Sequence, residues 1–400
     1  MLILEEGPED ETGMPTIHMR PGSNLFWAAT GPIELIEHLV LELGVPVTVT
    51  DPMMGYSPLH FAAEMGKEEN VRWFLDHGAP WNMANHYSVT PGELALEDGF
   101  PRCYEIIFEG GVRSEYEFWR LRDKSSARGE FGQHLKGNMR GQAYYVNNYE
   151  YLSTPVSFLN PRPEIPDDFA MVVDGMTGVM MEWERPLMKE TARLLCEDMG
   201  KGKNILNVGF GLGIIDSYFQ SYEPGNHTII EAHPRCLKYM RENGWYDKPN
   251  VRILAGSWDK FIGPDASFEG LGTFDVIYFD TFQEGYPGHL RFLRCVPELL
   301  SGPSALFSFF HGHCRRWKMG YEVYAEVARW HANDYGISTT WTDFQIDPAT
   351  IWESFSKKPR GDISHPFKIP ICRLAPTTPR HTANAWFGKN LENEESTTEK

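Results

Sequence analysis

From about residue 165 onward, short apolar runs alternate with longer amphipathic ones. Met188, Thr191, Leu194, Leu195 and Cys196 fall on one helical stripe, which predicts an amphipathic helix over 186–199. The run 204–208 is short and apolar, as a strand buried on both faces requires. Similar runs predict strands over 228–230, 251–254, 274–279 and 305–309, with helices over 214–220, 234–243 and 290–300 between them. Strands alternating with helices at this spacing argue for a doubly wound α/β sheet. The stretch 365–373, with Pro366 and Pro370, reads as a final strand or edge segment.

The first third follows another period. Ser57-Pro58-Leu59-His60-Phe61-Ala62-Ala63 is answered 33 residues later by Thr90-Pro91-Gly92-Glu93-Leu94-Ala95, and Gly78 and Gly111 keep the same spacing. Trp27-Ala28-Ala29 with Gly44 reads as a degenerate earlier copy. Ser57 and Thr90 suit helix caps, with Pro58 and Pro91 at the first helical position. Residues 71–75 read as a second helix, closed by Gly78. The pattern resembles the ankyrin repeat, which implies an all-α unit of about three repeats over 22–115. Such a unit either binds a protein or shields one face of its neighbour. The mixed, Gly-rich stretch 116–150 is expected to be a linker with some helix, and the acidic ends, 1–21 and 389–400, are expected to be disordered.

Composition narrows the partners. A formal net charge of −18 disfavours nucleic acid and suits a basic protein partner, although solubility alone would also account for it. Six scattered cysteines contain no CxxC pair, so no metal site is expected and a reducing compartment fits. No signal segment or membrane-length apolar run is evident, so a cytoplasmic and nuclear protein, monomeric or weakly oligomeric, is expected.

Gly209, Glu231, Trp258 and Asp280 all fall at carboxyl ends of predicted strands, where α/β sheets bind ligands. The turn 209–213 is glycine-rich, and Glu231 follows at the distance suited to ribose hydroxyls. A dinucleotide or S-adenosylmethionine would satisfy these features equally. Three longer blocks are more specific. They are Val179-Met180-Met181-Glu182-Trp183-Glu184-Arg185-Pro186-Leu187-Met188, then Val208-Gly209-Phe210-Gly211 with Ile230-Glu231-Ala232-His233, then Tyr278-Phe279-Asp280-Thr281-Phe282. In this order they resemble guanidinoacetate N-methyltransferase. Together with the ankyrin-like region, the chain is similar to the fungal type IV protein arginine methyltransferases.

That resemblance implies a Rossmann-like methyltransferase domain over 151–388 that uses S-adenosylmethionine. The implied cofactor contacts are Gly209, Phe210, Gly211, Leu212, Gly213, Ile214, Glu231, Ala232, His233, Ser257, Trp258 and Asp280. Met180 and Met188 would line the pocket, and Tyr151 would add an aromatic contact. Glu184 and Asp280 would be catalytic, clamping a guanidino group. The implied reaction is methylation of the δ (N5) nitrogen of arginine in a basic protein, with a large-subunit ribosomal protein as the target class. Glu182 departs from the family pattern, because it directly precedes Trp183 where the family has an arginine.

The chemistry needs carboxylates because arginine is always protonated and its delocalised cation is a poor nucleophile. Carboxylates grip it, polarise it and receive a proton. Blander roles exist: Glu184 as a charge at a helix start, Asp280 as a strand-end turn residue. Glu182 could join the clamp or face solvent. His311, His313 and Cys314 cluster after a strand, but methyl transfer needs no metal and no metal site is expected. Three rival readings stay open: a small-molecule guanidino methyltransferase, a nicotinamide-dependent oxidoreductase, and a non-catalytic adaptor.

Overall fold

The computed structural model describes residues 4–9, 15–19, 21–126, 156–159, 170–173, 177–263, 270–282, 284–315, 317–347 and 365–376. The chain forms two units. One comprises residues 1–143 with 313–327, and the other 144–312 with 328–400.

The first unit opens with strands β1 (Leu4–Glu9) and β2 (Pro15–Met19), paired antiparallel. This corrects the expectation of disorder over 1–21: pairing is made by the main chain, and acidic side chains do not prevent it. Three helical pairs follow. They are α1 (Pro21–Ala28) with α2 (Ile33–Glu37), α3 (Pro58–Glu64) with α4 (Glu68–Asp76), and α5 (Pro91–Glu97) with α6 (Pro101–Ser126). The caps act as their residue types require. Thr90 N donates to Glu93 Oε2 at 2.9 Å while the Thr90 hydroxyl receives Glu93 N, and Ser57 N donates to His60 Nδ1 at 3.0 Å. Polar side chains also tie the repeats together. Asn70 Nδ2 donates to Ala29 O and Gly31 O, 41 and 39 residues away.

Two expectations change in this unit. Gly111 does not close a helix. It lies within α6, where a Cβ would meet the Trp81 ring at 2.8 Å, so the glycine makes room for tryptophan. Residues 116–126 therefore continue a helix instead of beginning a linker, and the rest of 116–150 lies outside the described residues. The segment 313–327, expected inside the catalytic domain, groups with the repeats. Trp317 stacks on Trp81 with centroids 5.0 Å apart, Met319 lies over Gly92, and the Tyr324 hydroxyl donates to Glu115 at 2.9 Å. Trp81 Nε1 donates to the same carboxylate. Burial raises the Glu115 carboxyl, against the pull of these donors.

The second unit contains two sheets. A small antiparallel sheet is formed by β3 (Val156–Leu159), β4 (Ala170–Val173) and β5 (Thr177–Met181) in that order. The main sheet has seven strands: β6 (Asn204–Val208), β7 (Asn226–Glu231), β8 (Val251–Ala255), β9 (Val276–Phe279), β10 (Leu306–Phe309), β11 (Ile337–Phe344) and β12 (Phe367–Leu374). Their spatial order is β11-β12-β10-β9-β6-β7-β8. Pairs among β6 to β10 are parallel, while β12 is antiparallel to both β10 and β11. Its described helices are α7 (Arg185–Cys196), α8 (Ile214–Ser221), α9 (Pro234–Glu242), α10 (Gly285–Leu299) and, from residue 328 onward, the end of α11 (Lys318–Asp334). This is the expected Rossmann-like fold, extended by a reversed strand. The stretch 365–373 is not an edge: β12 lies inside the sheet, with Pro370 opposite Trp341 of β11.

Two apolar clusters support the site. In one, Met180, Met188, Leu195, Ile205 and Phe219 pack together with Tyr278. In the other, Phe210 of the glycine-rich turn packs with Ile229, Met240 and Trp245. The turn after β6 is thus anchored through its one large aromatic side chain.

Candidate active site

The order of the sheet brings the ends of β6 and β9 side by side. Asp280 N donates to Val208 O at 2.9 Å, continuing that pairing past the end of β9. Gly209 has φ +97°, and a Cβ there would lie 1.8 Å from Asp280 O. Only glycine permits this approach. The glycine-rich turn and Asp280 are therefore built as one piece. Gly211 is likewise crowded by Met180, whose sulfur receives Leu212 N at 3.2 Å. Both glycines are required by packing within the chain itself.

Glu184 reaches the same end of the sheet from a different direction. It closes a single 3-10 turn, Glu182–Glu184, between β5 and α7. Its Oε1 receives Met181 N at 3.1 Å, which ties the carboxylate back to β5. The side chain is buried, 7% exposed. Burial first, and then the negative charge of Asp280, hold the Glu184 carboxyl well above the usual carboxylate range. Burial pushes Asp280 up to about 7. Neither carboxylate has an ion-pair partner among the described residues. A buried and a half-buried acid side by side, with no cation among the described residues, form a site that a cation from outside would stabilise.

Glu182 does not join them. It forms an ion pair with Arg185, whose Nη2 donates to Glu182 Oε2 at 2.9 Å. Tyr278 lies close to both acids, and its hydroxyl donates to Met188 Sδ at 3.4 Å. Burial, with the charges of Asp280, Glu184 and Asp216, raises this phenol well above its usual range and keeps it neutral. Met188 is fully buried, so it supports Tyr278 from below and does not line a pocket. Met180 does meet the glycine-rich turn.

The residues expected to meet a cofactor divide by what they touch. Glu231 Oε2 receives Phe210 N at 2.9 Å and Gly211 N at 3.3 Å, while Oε1 receives His233 N at 2.6 Å. Three of about four acceptor positions are thus used to shape the turn, and one is left for a hydroxyl such as that of a ribose. Burial raises the Glu231 carboxyl although these amides oppose the shift. The residues present fit an adenosyl cofactor: a glycine turn at the carboxyl end of β6 and an acceptor at the end of β7. The side chains of Phe210 and Ile214 are in the core. Gly213 has φ +70° and starts α8. Ala232 follows Glu231 and is half-buried. His233 caps α9, its Nδ1 receiving Arg235 N. The Ser257 hydroxyl donates to Asp259, and buried Trp258 donates from Nε1 to Glu284 at 2.7 Å. Tyr151 lies outside the described residues.

Two supports were missed in the sequence. Glu284, at the start of α10, receives both Trp258 Nε1 and the Thr281 hydroxyl, and its carboxyl is raised by burial. Below the turn, Asn207 Nδ2 donates to Gly209 O and to Asp216, each at 2.9 Å, and His227 Nε2 lies 3.1 Å from Asp216. The signal for the second was present: Asn207 interrupts an apolar strand, and a buried amide must find partners. Among the described residues, no three His, Cys, Asp or Glu side chains converge as metal ligands. His313 and Cys314 group with the repeat unit, where burial lowers the imidazole to about 4 and pushes the thiol up to about 12.

Comparison with known proteins agrees with this geometry. Residues 167–289 match the family model for guanidinoacetate N-methyltransferase, spanning Glu184, the glycine turn, Glu231 and Asp280. Residues 54–86 match the ankyrin repeat. The chain is 33% identical to protein arginine N-methyltransferase 2 of Cryptococcus neoformans, covering 87% of this chain and 93% of that protein. It is 31% identical to the protein of the same name in Saccharomyces cerevisiae, over 73% and 77% of the two chains. To that of Aspergillus oryzae it is 30% identical, over 75% and 83%. With that identity over most of both chains, and with an ankyrin repeat joined to a guanidino-methyltransferase domain, this chain belongs to the fungal protein arginine N-methyltransferase 2 family.

Proposed function

We propose that this protein methylates arginine in a basic protein substrate, at the internal δ nitrogen, using S-adenosylmethionine. The observation that carries the reading is the pair of buried Glu184 and half-buried Asp280, which has no cationic partner among the described residues. A guanidinium is planar, always charged and suited to two carboxylates. Bound S-adenosylmethionine supplies an activated methyl group and needs little further chemistry. The chain's own residues supply the rest. Glu231 and the turn 209–213 would hold the adenosyl part, with Met180 against the turn. Asp280 and Glu184 would orient the guanidinium and localise its charge away from the reacting nitrogen. Forming the new N–C bond requires that nitrogen to release a proton. A carboxyl with its pKa near 7 is well suited to accept it.

The δ position and a large-subunit ribosomal protein as target rest on the resemblance to type IV enzymes. Action in the cytoplasm and nucleus follows from such a target. The match to guanidinoacetate N-methyltransferase keeps a second reading, a small guanidino acceptor. One experiment separates them. The full-length protein is incubated with labelled S-adenosylmethionine and methyl-poor cytoplasmic extract, and labelled protein is hydrolysed to identify the methylarginine isomer. Label in δ-N-methylarginine, lost in Glu184→Gln and in Asp280→Asn, supports the proposal. Label in ω-methylated arginine overturns the δ assignment, and label confined to metabolites favours the small acceptor.

A further inference from the structure

The repeat unit carries an exposed apolar surface in an acidic setting. Its turns are repeated at 33-residue spacing: Met53 and Met54 precede Gly55 (φ +73°), and His86 and Tyr87 precede Ser88 (φ +65°). The two tips lie side by side, since His86 N donates to Met54 O at 2.9 Å. Both are held rigidly. Asp51 Oδ2 receives Met54 N, and Asn85 Oδ1 receives Tyr87 N and Val89 N. Met53, Met54 and Tyr87 are nonetheless 63%, 40% and 68% exposed. Large apolar side chains on rigid turns lose little entropy on binding, and contiguous ones mark interaction sites.

The charge around the tips indicates what kind of partner fits. Tyr56, beside the tips, lies in the field of Glu64, Asp98 and Tyr87, and burial with these neighbours raises its phenol. Glu64 is raised by burial and by Asp98. No lysine or arginine among the described residues forms an ion pair with Glu64 or Asp98. The chain's own acidic C-terminal stretch, with Glu392, Glu394, Glu395 and Glu399, would be repelled from this surface.

We infer that the tips Met53–Met54 and Tyr87, with Glu64 and Asp98, form the docking surface for a basic segment of a protein partner, one carrying arginine or lysine next to an apolar side chain. The apolar residue would rest on the methionines and tyrosine, and the cation on the carboxylates. This rests on the reading above for the partner being the substrate.

The test is a phage-displayed random-peptide library panned on the full-length protein, with the Met54→Ser/Tyr87→Ser double variant as counter-selection. Selected peptides are then measured by fluorescence anisotropy. The expected peptides pair arginine or lysine with an aromatic or aliphatic residue. The double variant should weaken them at least tenfold, and Glu64→Gln/Asp98→Asn should weaken them and flatten their salt dependence. Both variants should keep the wild-type melting temperature. Peptides lacking basic residues overturn the inference, as does affinity unchanged in both variants. Failure to recover any sequence that the double variant loses overturns it as well. If binding follows expectation while no arginine is methylated, the docking surface stands and the catalytic reading falls.

Discussion

Lowering the pH from 8 to 6 tests the buried acid pair without any mutation. Asp280 must be ionised to hold a guanidinium, and burial places its pKa at about 7. One pH unit on either side changes the ionised fraction from about nine-tenths to about one-tenth. The value of kcat/KM for an arginine acceptor, which reports the free enzyme, should therefore rise about tenfold from pH 6 to pH 8. Glu184→Gln removes one arm of the clamp and should lower the plateau. Asp280→Asn should abolish the rise and cost ~2–4 kcal/mol, roughly 30- to 1,000-fold in kcat/KM. Initial rates with labelled S-adenosylmethionine at saturating concentration give the profile. A flat response between pH 6 and 8, or a midpoint in the ordinary carboxylate range, would refute the reasoning.

The same shift makes a prediction for folding. A carboxyl whose pKa is raised on folding binds its proton more tightly in the native state, so stability is greatest at low pH and declines as pH rises from about 4 to about 7. Asp280→Asn should flatten that decline and raise the urea midpoint at pH 8, by on the order of 1–2 kcal/mol allowing for the group's part exposure. Gly209→Ala places a Cβ at 1.8 Å from Asp280 O in a left-handed conformation; a loss of about 3 kcal/mol or more is expected in chemical denaturation. Trp317→Ala removes the ring stacked on Trp81 and should cost ~3–5 kcal/mol, read as faster amide exchange in α5 and α6.

How much the sequence disclosed depended on range. The β/α alternation and the 33-residue period are local patterns, and both produced the expected elements. Glu184 and Asp280, almost a hundred residues apart, are paired in the sequence only through resemblance; their electrostatic coupling appears only in the folded chain. The placement of β12 between β10 and β11 has no local signature, because nothing in a strand's own alternation names its partner. Gly111 kept the repeat spacing yet sits in a helix, since Trp81 needed the space more than the turn needed the glycine. Met188 matched a motif methionine but faces the core.

Synthesis runs from the N-terminus, so the repeat unit emerges long before residues 313–327 that complete it. At about 5–20 residues per second, the interval between α6 and this segment lasts about 10–40 s. Throughout it, the surface of Trp81 that Trp317 will cover remains open on the nascent chain. A transcript cut short before this point would yield repeats that lack their final element. Such fragments would be natural clients of chaperones and proteases. They would also make poor baits, because the isolated repeats offer a partner a tryptophan face that the finished protein hides.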